Sequence, residues 1–274
     1  MSEGVRMWED DMEASARRKV VWLAGGVAVV LAAAGAWYWY SSREAAAPPV
    51  PAAAVVPAVP ASAEPQISHP IPADNDAAAL PALNDSDQVA HDSLAGVIGH
   101  DPVEQFLVPQ NIVRHIVVTV DNLPRKKLAV DLRPLKPTPG QTTTASQGDI
   151  VTLSPDNFQR YTPLMRVLEK TDVKALAVVY ERLYPLFQQS YEDLGYPGKY
   201  FNDRLVEVID HLLQTPEVTT PIQLAQPKVF YEFADQDLEG RSAGQKLLIR
   251  MGPANERLIK AKLRDFRAEI VKKK

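Results

Sequence analysis

The chain has 274 residues, 46% of them hydrophobic, with 34 Asp and Glu against 30 Lys and Arg, for a formal net charge of −4. It contains no cysteine, which excludes disulfides, a thiolate nucleophile and any Cys-based metal site. Its charge is segregated, with nine acidic and no basic residues from Glu44 to Glu104 and eight basic against three acidic from Glu256 to Lys274; no nucleic-acid fingerprint accompanies either block, so nucleic acid is not an expected partner.

Residues 1–19 read as a short cytoplasmic N-terminus. Val20 to Tyr40 is a run of 21 residues without a formal charge, behind Arg17, Arg18 and Lys19 and closing on Trp37-Tyr38-Trp39-Tyr40. At 1.5 Å per residue it covers about 30 Å, the hydrocarbon thickness of a bilayer. A transmembrane helix is therefore expected over 20–40, with the basic side in the cytoplasm and the aromatic quartet at the outer interface. Ala32 to Ala36 offers small-residue cleavage sites, but the apolar run exceeds the core of a signal peptide. Residues 41–84 are rich in Pro and Ala and lack an apolar face, which predicts a disordered linker. One periplasmic helical domain is expected over 85–274.

Within it, Asp85 to Gly99 predicts a helix, and Asp101 with Pro102 opens a second segment that runs to Leu123 with a break at Pro109. Ile112, Val113, Ile116, Val117 and Val120 fall at helical spacing despite their β-branching. Pro134, Pro137 and Pro139 forbid a regular element, and Gln141 to Asp149 reads as a polar loop. Ser154-Pro155 and Thr162-Pro163 are paired start signals for two short helices. Asp172 to Leu194 carries the strongest 3-4 stripe of the chain, interrupted by Pro185 and ended by Gly195. Asn202 reads as the cap of the next helix, with Leu205, Ile209, Leu212 and Leu213 as its face. Lys228 to Phe233 predicts a short strand, and Ser242 to Arg250 and Pro253 to Val271 the last helices. The fold class is mainly α, one compact helical domain with one or two short β-strands.

Few patterns point to chemistry. Gly240-Arg241-Ser242-Ala243-Gly244 matches a Gly-x-Ser-x-Gly nucleophile elbow, but no apolar strand precedes it and no histidine follows it. Ser242 with Gln245 reads instead as a Ser-x-x-Gln capping box. Glu232, Asp235, Asp237 and Glu239 lack the Gly and distal Glu of a calcium loop and read as a solvated turn. Asp203, Glu207, Asp210 and His211 share one helix side and read as its wet face. No catalytic, metal or cofactor-binding residue is assigned, and no cofactor is expected. Tyr180, Tyr184, Phe187, Tyr191, Tyr196, Tyr200 and Phe201 gather around one helix–turn–helix; most should be core, yet an aromatic wall can serve as a partner groove.

Several strings resemble a known family: Val120-Asp121-Asn122-Leu123-Pro124-Arg125, Lys136-Pro137-Thr138-Pro139-Gly140, Tyr196-Pro197 with Phe201-Asn202-Asp203-Arg204-Leu205, Phe233-Ala234-Asp235, and Ala243 to Pro253. With the anchor and Pro/Ala linker they resemble domain-of-unknown-function family 3014 of Gram-negative bacteria over most of Asp101 to Arg267. The resemblance implies an inner-membrane address and no particular activity. The expectation is a single-pass inner-membrane protein, anchored in the lipid bilayer through Val20–Tyr40. Its periplasmic domain binds or scaffolds an envelope protein or glycan and is not expected to be an enzyme. The basic C-terminal helix (Arg257, Lys260, Lys262, Arg264, Arg267) could meet an anionic partner. The alternative is an envelope hydrolase with a carboxylate or metal site drawn from the two acidic regions.

Overall fold

The computed structural model describes residues 67–71 and 80–271. The expected membrane span over 20–40 and most of the expected linker lie outside the described residues; among these, no helix is long and apolar enough to cross a membrane.

After a 3-10 turn at Leu83–Asp85, α1 (Asp87–Ile98), α2 (His100–Phe106) and α3 (Ile112–Asn122) open the domain. The break near Pro109 is where the sequence puts it, but α2 starts two residues earlier than Asp101-Pro102 suggests, with Gly99 as its N-cap. α3 is helical because tertiary burial outweighs the weak helix propensity of its β-branched residues: Ile112, Val113 and Val117 are all buried. Asn111, in the left-handed region at φ 53°, gives this helix no side-chain cap. The carboxylate of Asp87 replaces it, accepting from the amides of Asn111 and Ile112 at 2.8 Å each. It thereby places negative charge at the positive end of the helix dipole.

α4 (Pro155–Gln159) and α5 (Thr162–Lys170) are separate short helices. Ser154 caps the first through the Asp156 amide at 3.2 Å. α6 (Val173–Asp193) is the central element, capped by Asp172 and burying Ala177, Tyr180, Leu183, Tyr184, Leu186, Phe187, Ser190 and Tyr191. It packs against α1, α3, α7 (Phe201–Leu213) and α10 (Pro253–Ile270). Their apolar faces, with Ile71 and Leu83, form the main core.

Four short strands make an antiparallel sheet in the order β1 (Thr144–Gln147), β2 (Ile150–Leu153), β3 (Gln223–Ala225), β4 (Glu232–Phe233). This corrects the expectation of one or two strands and of a polar loop over 141–149. β1 is polar and largely exposed, so its pairing comes from the hairpin through Gly148, with Gln147 opposite Ile150, and leaves no apolar alternation to read. The expected strand over 228–233 shortens to its last two residues. Leu153, Ile222, Leu224, Phe233 and Ile249 form a second core beneath the sheet.

α8 (Gln236–Glu239) and α9 (Ala243–Met251) follow, and α9 packs on α4 and α10. Gly252, at φ 91°, turns the chain from α9 into α10, and a Cβ there would lie 2.6 Å from the Phe158 ring. The basic helix α10 is largely committed inward. Lys260 is buried with Glu256 at 2.7 Å, Arg267 clasps Asp210 at 2.6 and 2.8 Å, Lys262 bonds the Glu169 and Thr171 carbonyls, and Arg257 meets Glu217.

Candidate functional site

The aromatic residues concentrated between 180 and 201 turn inward for the most part. Tyr180, Tyr184, Phe187, Tyr191 and Phe201 are buried, and only Tyr196 and Tyr200 are partly exposed. Phe187 stacks on Phe201 at 5.9 Å and Tyr191 on Tyr196 at 4.6 Å between ring centroids. Burial pushes the Tyr191 phenol up to about 12. Five of the seven residues expected as a partner groove are therefore core.

What remains of that groove at Tyr200 holds the protein's own chain. Asp203 accepts from the amides of Ser68 and His69 at 3.0 and 2.7 Å. The Tyr200 hydroxyl accepts from Ile71 N at 2.7 Å. Asn202 is not the expected cap: it lies inside α7, fully buried. Its amide donates to His69 O at 2.9 Å and Ile270 O at 3.3 Å and accepts from Tyr180 at 3.0 Å. Residues 67–71 are thus strapped across the start of α7, with Ile71 seated in the core.

Beside the strap, Tyr196, Tyr200 and Arg204 line a recess of about 350 Å³. At its edge the buried Asp121 accepts from Arg204 Nε at 3.0 Å, from the Tyr196 hydroxyl at 3.2 Å and from Arg125. The Arg125 guanidinium is raised above its ordinary value by the charge of Asp121 and by that hydrogen bond. This polar node ties α3 to α7 and to the turn that precedes it.

The Gly-x-Ser-x-Gly string meets a histidine after all, from earlier in the chain. Ser242 Oγ lies 2.9 Å from His211 Nε2. Requiring a histidine downstream missed this contact, because α7 folds back over the start of α9. Even so, the amides an oxyanion hole would need are taken: Ala243 N donates to Arg125 O at 2.7 Å, Gly244 N to Leu123 O at 2.9 Å and Gln245 N to Ser242 Oγ at 3.2 Å. Ser242 is the cap of α9, and the Gln245 side chain donates through Nε2 to His211 O at 3.1 Å, tying the start of α9 to the end of α7. Most acidic side chains of the two regions are likewise engaged. Glu207 pairs with Arg204, Asp210 with Arg267 and Glu239 with Lys246, while Asp235 caps α8. Among the described residues no group of three His, Asp or Glu is placed to hold a metal ion.

A larger cavity lies elsewhere, under the proline-containing stretch, whose one regular turn is a 3-10 helix at Val130–Leu132. Residues 128–139 arch over α3, α5 and α9 and leave a cleft of about 790 Å³. The arch is pinned by Val108 N to Pro134 O and Lys136 N to Phe106 O, both 2.8 Å, which together make an antiparallel bridge between Leu107 and Leu135. Arg160 holds its far end, donating to Pro139 O at 3.2 Å and Gly140 O at 2.8 Å. Leu123, Leu128, Val130, Leu135, Leu164, Leu247 and Met251 give the cleft its apolar walls. Val130, Leu135 and Leu247 are 55%, 41% and 40% exposed, unusual for residues of this type in one concave surface. Arg133, Lys136 and Arg160 are its charged residues, and no Asp or Glu lines it.

Residues 112–267 match the family described as protein of unknown function, DUF3014. The chain belongs to this family. No curated protein and no solved structure matches it. The DUF3014 match begins at the first residue of α3, so it takes in nearly the whole cleft and the polar node, and leaves the strap outside. The strings that carry the resemblance converge in space: Asp121 and Arg125 of the first hold Arg204 and Tyr196 of the third, while Leu123 and Arg125 receive the first amides of α9. The Lys136–Gly140 string forms the far end of the arch. The sequence contained one signal for this cleft, exposed apolar residues (Val130, Leu135) inside a proline-rich loop, and periodicity could not use it.

Proposed function

We propose that this DUF3014 protein is a binding module of the bacterial cell envelope, taking its ligand in the cleft under residues 128–139. The observation that carries the reading is the cleft itself, about 790 Å³ of apolar concavity with a few polar groups at its border. That is the size and character of small-ligand and segment-binding sites, ~300–1,000 Å³. The charge pattern of residues 1–40 supports an inner-membrane anchor with the helical domain on the periplasmic side. The intramolecular engagement of most carboxylates, and the occupied amides around Ser242, favour binding over hydrolysis.

Photoreactive amino acids introduced singly at Leu135 and Leu247 of the full chain in intact cells test this. Adducts are expected at both positions and not at Val178, a more exposed residue of α6 that does not line the cleft. Equal labelling at all three would refute the assignment.

A further inference from the structure

The cleft under the arch has a charge pattern that narrows its ligand. Resting on the binding reading above, we propose that it takes a single-chain anionic amphiphile, with the acyl chain on the apolar walls and the acidic head against Arg133, Lys136 and Arg160. No carboxylate lines the cleft, and none of the three cations is in an ion pair among the described residues. Absence of an ion pair alone does not set them apart, since Arg166, Lys170, Lys174 and Arg182 are likewise unpaired among the described residues; what distinguishes the three is that they converge on one apolar cleft that no carboxylate lines.

The three are not equally free. Lys136 Nζ donates to the Glu104 carbonyl at 2.6 Å, and Arg160 is spent partly on bracing the arch. Arg133 is exposed and makes no hydrogen bond among the described residues. A neutral apolar ligand would leave these groups unused, whereas a cationic one would meet like charge with no acid to offset it. An anionic head gains charge-assisted bonds, and its chain removes Val130, Leu135 and Leu247 from water.

The full chain in phosphatidylcholine nanodiscs can be labelled with photoactivatable hexadecanoate, and in parallel with the hexadecanol and hexadecyl-trimethylammonium analogues, with adducts mapped by mass spectrometry. Comparing variants within one probe cancels partition into the lipid. Hexadecanoate is expected to label residues 128–139 and the neighbourhood of Leu247. The double variant R133E/K136E, with both changes on exposed side chains, should lower that labelling about tenfold, the scale of a lost charge-assisted contact. It should leave hexadecanol labelling unchanged. The variant L135D/L247D should lower labelling by both probes, and circular dichroism of each variant shows whether the helices persist. If R133E/K136E lowers labelling by hexadecanoate and by the cationic analogue equally, or leaves hexadecanoate labelling intact, the anionic assignment is wrong while the cleft remains a binding site. If no probe labels the cleft although all label the chain elsewhere, the acyl assignment falls, and the photoreactive residues at Leu135 and Leu247 decide the binding reading separately.

Discussion

Asp121 should be worth far more to this fold than a surface carboxylate. It is buried, with 4% of its side chain exposed, and it serves Arg204, Arg125 and Tyr196 at once. Removing one member of a buried ion pair costs about 3–5 kcal/mol because the other is left charged and dry. Two features reduce that figure here. Arg204 is 19% exposed and keeps Glu207 at 2.9 Å, while Arg125 is 51% exposed, so its share is about 0–1 kcal/mol. Asp121→Ala is therefore expected to lose about 2–3 kcal/mol, and Arg204→Met a similar amount. The double replacement D121A/R204M removes both charges together and should cost at least ~1 kcal/mol less than the sum of the single changes. Urea unfolding of the full chain in a non-ionic detergent, followed by far-UV circular dichroism, measures all three. Tryptophan fluorescence would not serve, since all four Trp lie within residues 1–40. A loss below ~0.5 kcal/mol for Asp121→Ala, or strict additivity in the cycle, would refute the electrostatic account of the node.

Two further outcomes are expected. Asp203→Ala removes the acceptor of two strap amides, so hydrogen exchange at Ser68 and His69 should accelerate about tenfold while the amides of α6 keep their protection; unchanged protection at Ser68 would show that Ile71 and Asn202 hold the strap alone. His91 is held above its ordinary value of 6.5 by its hydrogen bond with Asp92 first and with Glu104 second. A raised folded value means that its stabilisation is complete below 6.5 and is lost as pH rises through the folded value. The urea midpoint should accordingly fall as pH rises above about 6.5, and His91→Gln should remove that part of the slope. An identical slope in the variant would assign it to other groups.

The regular elements were legible where a single local signal decides them. Ser154 before Pro155 and Ser242 three residues before Gln245 each cap a helix as their sequence context indicates, and the long stripe from Asp172 is one helix. Reading failed where a residue's partner is distant in the chain. Asn202 has the composition of a cap, but its amide is used to bind His69 and Ile270, 133 and 68 residues away. α3 shows the converse, a helix whose cap cannot be found next to it because Asp87 supplies it from 24 residues upstream. β1 carries no apolar alternation, so only its hairpin partner makes it a strand.

The cleft was out of reach for a related physical reason. Periodicity reports which face of a regular element is dry, and it scores proline-rich stretches as uninformative. An open apolar concavity arises where the chain cannot continue a helix or strand and must arch over one instead. Pro134, Pro137 and Pro139 end regular structure, and the same residues line the cleft. The tyrosines mislead in the opposite direction. They look like a binding surface because a phenol can be both apolar and polar, yet in this fold the rings fill the core and the Tyr200 hydroxyl binds the protein's own strap. In a chain without catalytic motifs, an apolar residue that lies outside every stripe is therefore a better pointer to the site than an aromatic residue that lies within one, and Leu135 and Leu247 are the positions where that argument is tested.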